Sequence, residues 1–104
     1  MTDTRPDPAT GSGNISVQVR IEGKVQGVWY RAWTVEQATK RGLTGWVRNR
    51  TDHTVEAVFC GPVEVVQSMV VACHEGPPHA RVDRIHEEPG LEDGFTSFEK
   101  RPTA

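Results

Sequence analysis

"ISVQVRIEGKVQGVWYR", residues 15–31, holds a strand-like stretch and a helix-like stretch joined by a loop that contains two glycines. In its first half Ile15, Val17, Val19 and Ile21 alternate with Ser16, Gln18, Arg20 and Glu22. A period of two places the apolar set on one face of a strand and the polar set on the other. The alternation stops at Gly23. From about Trp29 to Arg41 the pattern is helical: Ala32, Val35 and Ala38 share a face, Lys40 and Arg41 fill the last turn, and Gly42 follows as a stop. Gly23 and Gly27 let the backbone turn tightly and approach a ligand with no Cβ in the way. Successive N–H groups at such a strand-to-helix junction converge into an anion nest, and the helix N-terminus adds partial positive charge.

The rest of the chain extends this unit. "LTGWVRNRT" at 43–51 and "TVEAVFC" at 54–60 read as strands, the second with Val55, Ala57 and Phe59 on one face, and a tight turn at Asp52-His53 joins them. "GPVEVVQSMVVACHEGPP" at 61–78 is the clearest helix. Pro62 stands at its first position, Glu64 lies in its first turn, and Gly76-Pro77-Pro78 ends it. Val66, Met69, Val70 and Cys73 keep helical spacing and face a core. "ARVDRIHEE" at 80–88 is a fourth strand in which Val82 and Ile85 stand three apart, which predicts a bulge or bend. A short fifth strand falls around Phe95 to Lys100. The predicted class is α+β: a ferredoxin-like βαββαβ sandwich, an antiparallel four- to five-stranded sheet with two helices on one face, over residues 15–101. Residues 1–14, rich in small polar residues, proline and glycine, are expected to form a disordered leader.

Composition narrows the function. With 104 residues and 36% hydrophobic content, one domain with a single small core is expected. A net charge of -2 does not suit a nucleic-acid binder. No apolar run approaches the roughly 18 residues of a membrane span, and the first residues carry no secretory signal, so a cytoplasmic protein is expected. Cys60 and Cys73 have no metal-ligand spacing and are read as reduced thiols. His53, His74, His79 and His86 are scattered without a metal-site pair, and Glu87-Glu88 and Glu92-Asp93 read as solvated acids.

Arg31 falls in the first helical turn, where the helix dipole favours acids. That placement makes sense if the guanidinium faces an anion, because its fork grips two phosphate oxygens at once. The spacing of Gly23 and Gly27 is G-x-x-x-G, which is neither a nucleotide P-loop nor a G-x-G-x-x-G fingerprint. On spacing alone these residues are equally consistent with ordinary turn glycines and a solvated helix arginine. As a bare sequence feature, Asn49 before a turn reads as plain turn chemistry.

"GKVQGVWYR" at 23–31, followed by "GLTGWVRNRTDHTVE" at 42–56, resembles the acylphosphatase family. The family pattern is a G-x-V-Q-G-V-x-[FY]-R loop and then G-x-x-G-x-V-x-N-x-x-D-G-x-V-E. The likeness spans roughly residues 15 to 100 and implies a hydrolase that cleaves acyl phosphates to carboxylate and inorganic phosphate. It implies no metal and no other cofactor, a small-molecule acyl phosphate as partner, no nucleic acid, no membrane, and a monomer. By position Arg31 binds the phosphoryl group with the backbone N–H groups of Gln26, Gly27, Val28, Trp29 and Tyr30, and Asn49 orients the attacking water.

The chemistry fits so small a set of groups. The carboxylate that leaves has a conjugate acid with a pKa of about 4–5, so no general acid is needed. The loose transition state of phosphoryl transfer asks mainly for positioning and for charge stabilisation. One departure stands out: the family's D-G turn is Asp52-His53 here, where a glycine would suit the positive φ of a two-residue hairpin. Trp29, at a variable family position, either lines the mouth of the site or covers the helix end. A non-catalytic anion- or RNA-binding ferredoxin-like module is the competing class, but the RNA-recognition signature is absent and the third strand offers only Phe59 for stacking. Domains of this kind also open larger carbamoyl-transfer maturation proteins. Those carry C-x-x-C motifs that this sequence lacks, so a stand-alone enzyme is expected.

Overall fold

A computed structural model describes residues 14–104. The elements run β1 (Asn14–Lys24), α1 (Tyr30–Lys40), β2 (Thr44–Asn49), β3 (Val55–Pro62), α2 (Val63–Glu75), β4 (Arg81–Pro89) and β5 (Phe98–Lys100). The expected leader lies outside the described residues except for Asn14, which opens β1. The sheet order is β4-β1-β3-β2-β5, and the fold is the ferredoxin-like α+β sandwich. Among the described residues no helix is long and apolar enough to cross a membrane.

β1 and β3 pair antiparallel with Val17 opposite Phe59, Val19 opposite Ala57 and Ile21 opposite Val55. The alternation read in the sequence therefore becomes one apolar face, and Val19, Ile21, Val55, Ala57 and Phe59 are fully buried beneath the helices. α2 closes this face with Val66, Met69, Val70 and Cys73, the set expected from its spacing. Pro62 stands one residue before the helix, with φ -59 and ψ 142, and not at its first position.

α1 is rotated from its expected orientation. Its buried residues are Tyr30, Thr34 and Ala38, while Ala32, expected on the core face, is exposed. The reason is Tyr30, whose ring is buried and whose hydroxyl donates to the carbonyl of Cys73 at 2.5 Å. Thr34 Oγ1 in turn donates to the Tyr30 carbonyl at 2.7 Å. Burying a tyrosine ring removes far more apolar surface from water than burying an alanine methyl, so the ring decides which way the helix faces. Burial also drives the Tyr30 hydroxyl pKa strongly upward.

The irregularity expected in the fourth strand is a bulge: Glu22 pairs with Arg84 and Gly23 with Val82, which leaves Asp83 as the extra residue. A Cβ on Gly23 would lie 2.1 Å from the Arg81 carbonyl oxygen, so only glycine fits there. β1 to β4 are antiparallel, as expected, but β5 runs parallel to β2, with Gly45 opposite Phe98 and Val47 opposite Lys100. β4 ends at the rim where β2 begins, and residues 90–97 cross to the far edge along that rim, so the next strand runs in the direction of β2. The crossing is anchored on the open face of the sheet. Ser16 Oγ donates to the Glu92 carbonyl at 2.8 Å, and Trp46 Nε1 donates to Glu92 Oε1 at 2.9 Å. Glu92 is thus a hydrogen-bond partner and not merely a solvated acid. His86, on β4, pairs with Glu22.

On the same open face Glu56 is buried, with 7% of its surface exposed. Its carboxylate accepts from Gln18 Nε2 at 2.5 Å, Arg48 Nε at 2.8 Å and Arg50 Nη1 at 3.0 Å. Burial alone would raise its pKa, but the hydrogen bonds and charges of Arg48 and Arg50 outweigh it and hold the carboxyl below its ordinary value. A depressed folded-state pKa gives stability that is present above the unfolded value of 4.5 and lost as pH falls through the folded value. Glu56→Gln is expected to lower the urea midpoint at neutral pH, with the gap to the parent protein closing well below pH 4.5. A gap that stays constant with pH would show that the Glu56 charge contributes nothing.

Candidate active site

The junction between β1 and α1 is built by inward and outward alternation. Val25 and Val28 are buried at 1% and 8% exposure, and pinning them leaves Gly27 and Trp29 facing outward. Gly27 has φ 75 and Trp29 has φ 71, with Val28 between them at negative φ. A change of φ sign from residue to residue curls the chain so that successive N–H groups point to one side, which is the geometry of an anion nest. Among the described residues the N–H groups of 26–30 have no backbone acceptor. A Cβ on Gly27 would meet nothing within 4 Å, so its positive φ, and not crowding, is what requires glycine.

Trp29 was expected inside the helix. It is instead the left-handed residue before it, since a residue at φ 71 and ψ 17 ends the run of helical dihedrals. Its side chain is 80% exposed and lines the cleft, which decides between its two expected roles in favour of the mouth. Tyr30, expected as an N–H donor, also has a buried side chain that fixes the loop to the end of α2. The sequence signal for this was its aromatic ring at the start of the helix.

Gln26 does more than present an N–H group. Its Nε2 donates to the carbonyls of Arg50 at 2.9 Å and Thr54 at 2.8 Å, on the two arms of the β2–β3 hairpin. This ties the loop to the chain beside Asn49. The hairpin itself differs from expectation. The Arg50 N–H donates to the Thr54 carbonyl at 2.9 Å and the His53 N–H to the Arg50 carbonyl at 3.0 Å. The loop therefore has three residues, with His53 in the positive-φ position at 74°, the arrangement of a type I turn closed by a left-handed residue. Asp52 accepts from the Thr54 hydroxyl at 2.6 Å and N–H at 3.0 Å, and these bonds hold its carboxyl below the usual range.

Asn49 ends β2 on the same face as Val47, at the rim where the loop crosses. Its carbonyl accepts from the Ala104 N–H at 3.1 Å. Its side-chain Oδ1 is buried and has no hydrogen-bond partner. A buried acceptor without a donor costs free energy unless a ligand or water supplies one. Arg31, the second residue of α1, is half-buried, and the first turn of the helix holds no acid. Together Val25, Gly27, Trp29, Arg31, Asn49 and Lys100 line a cleft of about 340 Å³. Lys100 is the residue that motif reading missed. Alternation along β5 from buried Phe98 could have found it, because it puts Lys100 on the same face as Asn49.

Cys60 and Cys73 are free thiols, and burial pushes Cys73 up to about 12. Among the described residues no group of three or more His, Cys, Asp or Glu side chains is placed to hold a metal ion.

Two helices over a mixed sheet, with a curled loop of free N–H groups, a cation and an orphaned amide oxygen at one rim, define a small domain of the ferredoxin-like class. The acylphosphatase family profile matches residues 17–100. An acylphosphatase of Rhodospirillum rubrum is 55% identical over 85 residues, which cover 82% of this chain and 93% of that one. An acylphosphatase of Rhizorhabdus wittichii is 50% identical over 102 residues, 95% of this chain and 94% of that one. The solved structure of an acylphosphatase from Coxiella burnetii superposes with a TM-score of 0.83 at 32% identity, covering 88% of this chain and 96% of that one. The chain belongs to the acylphosphatase family.

Gln26→Leu removes both bonds to the hairpin and leaves the Thr54 and Arg50 carbonyls to other donors. It is expected to lower unfolding free energy by about 1–2 kcal/mol in urea titrations, and to weaken inorganic phosphate binding measured by calorimetry. Unchanged values for both would show that the tie holds nothing in place.

Proposed function

We propose that this protein hydrolyses the carboxyl–phosphate bond of acyl phosphates, releasing a carboxylate and inorganic phosphate. The observation that carries the mechanism is Asn49 Oδ1, a buried acceptor with no partner, in the cleft that Arg31 and the nest also line. The nest N–H groups and the Arg31 guanidinium hold the non-bridging phosphoryl oxygens. Asn49 Oδ1 accepts a hydrogen bond from a water and directs its lone pair at phosphorus. The water oxygen–phosphorus bond forms as the bond from phosphorus to the carboxyl oxygen breaks. The electron pair leaves with the carboxylate, and a phosphoryl oxygen takes the water proton. Because charge shifts between oxygens already gripped in the ground state, fixed donors and side-chain cations suffice.

The competing RNA-binding reading loses its footing, since Phe59 is fully buried under the helices and presents no stacking surface. The reading of the enzyme as a monomer rests on the family resemblance of the sequence. Its assignment to the cytoplasm rests on the sequence reading alone.

Arg31→Ala is expected to weaken phosphate binding and turnover together, and Arg31→Lys not to rescue them, because a point charge lacks the fork. Asn49→Ala is expected to lower kcat by roughly 10²–10³ while leaving phosphate affinity nearly intact. Steady-state kinetics with benzoyl phosphate, with inorganic phosphate as inhibitor, read both constants. An Asn49→Ala enzyme that keeps more than about a tenth of kcat would move the water-orienting role elsewhere.

Activity is also expected to survive prolonged chelation. Loss on chelation followed by rescue with Mg²⁺ or Zn²⁺ would overturn a mechanism whose only cations are side chains. Inorganic phosphate is expected to compete with substrate, and purely noncompetitive inhibition would contradict the nest.

A further inference from the structure

Trp29 is a large aromatic side chain for which the fold has no use. Among the described residues the aromatic pairs are Tyr30 with Trp33 and Phe59 with Phe98, and Trp29 is in neither. It is 80% exposed. Its backbone sits at φ 71 and ψ 17, a conformation that glycine adopts freely and bulky residues rarely do. Placing an indole there works against local stability, and strain of this kind persists where function uses it. The ring lines the same cleft as Gly27, Arg31 and Asn49.

A substrate whose phosphoryl group fills the nest projects its acyl group away from the loop backbone and out through the mouth of the cleft. The side chain that the nest itself carries at the mouth is the Trp29 indole. From this we infer that Trp29 is a specificity-determining residue that stacks on the acyl group and favours acyl phosphates with a flat, aromatic acyl part over small aliphatic ones. An acetyl group has no face to offer the indole, whereas a benzoyl group has one. Offset stacking between aromatic groups contributes a factor of roughly 3–10 in binding. The inference rests on the hydrolase reading and adds the substrate class to it.

The test compares kcat/KM for benzoyl phosphate with kcat/KM for acetyl phosphate. Both substrates carry the same phosphoryl group, so a general disturbance of the loop cancels in the ratio. In Trp29→Gly the benzoyl-to-acetyl ratio is expected to fall by roughly 3–10-fold, with the change in KM for benzoyl phosphate. Glycine suits the local φ, so the thermal midpoint should not fall. Trp29→Asn, which also tolerates positive φ, should lose the preference to the same degree. Trp29→Phe, which keeps a ring, should retain most of it. A ratio unchanged in Trp29→Gly and Trp29→Asn, or one that falls as far in Trp29→Phe, overturns the inference while leaving the hydrolase reading intact. Failure of the parent enzyme to cleave either substrate would instead refute the hydrolase reading and this inference with it.

Discussion

Val17, Val19 and Ile21 of β1 lie opposite Phe59, Ala57 and Val55 of β3, and the rest of the molecule is arranged around this antiparallel register. A slip by one residue would turn every one of these side chains from the core to the open face. With the register set, the apolar face is covered by α1 and α2, and the polar face carries Gln18, Arg48, Arg50 and the buried carboxylate of Glu56. The same pairing brings the C-terminal end of β1 beside the hairpin that follows Asn49. The loop and the asparagine therefore meet because two strands pair in one register, although 22 residues, α1 and most of β2 among them, lie between Gln26 and Asn49 in the chain.

The loop is held from three sides before any ligand arrives. Val25 and Val28 are sunk in the core. Tyr30 is bonded to the end of α2, and Gln26 is bonded to two carbonyls of the hairpin. These anchors over-determine a backbone that carries positive φ at Gly27 and Trp29. Preorganisation of this kind suits phosphoryl transfer, where donors that are already in position stabilise charge without reorganising during the reaction. The hairpin side is braced in the same way. The Asn49 carbonyl accepts from Ala104, and His53 takes the left-handed position that the family gives to glycine. His53 alters only the backbone preference at the turn tip, because it lies outside the set of residues that line the cleft.

The cleft is economical because its substrate class is activated. A leaving carboxylate needs no proton, so the cleft can do without an acid, and Arg31 and Lys100 supply positive charge with no carboxylate among the lining residues. The groups whose titration is shifted belong to the packing of the fold. Tyr30, Cys73 and Glu56 are shifted by burial and by structural partners, and although Tyr30 also borders the cleft, its hydroxyl is bonded to the Cys73 carbonyl.

The sequence by itself determined the strand over 15–22, the α2 core stripe of Val66, Met69, Val70 and Cys73, the glycine junction and, through the resemblance of its two motifs to the acylphosphatase pattern, Arg31 and Asn49 as candidate site residues. Each of these is a local period or a motif at fixed spacing, and such signals depend on near neighbours in the chain. What only the tertiary structure decided were features with long-range causes. The rotation of α1 follows from Tyr30 finding the Cys73 carbonyl 43 positions away. Trp29 is left-handed because Val28 and Tyr30 on either side of it are both pulled into the core. The parallel direction of β5 follows from the rim at which β4 happens to end, and with it comes Lys100 at the cleft. The double role of Gln26 required the hairpin carbonyls to be in place. None of these partners is within a turn's reach in the sequence, so no local pattern records them.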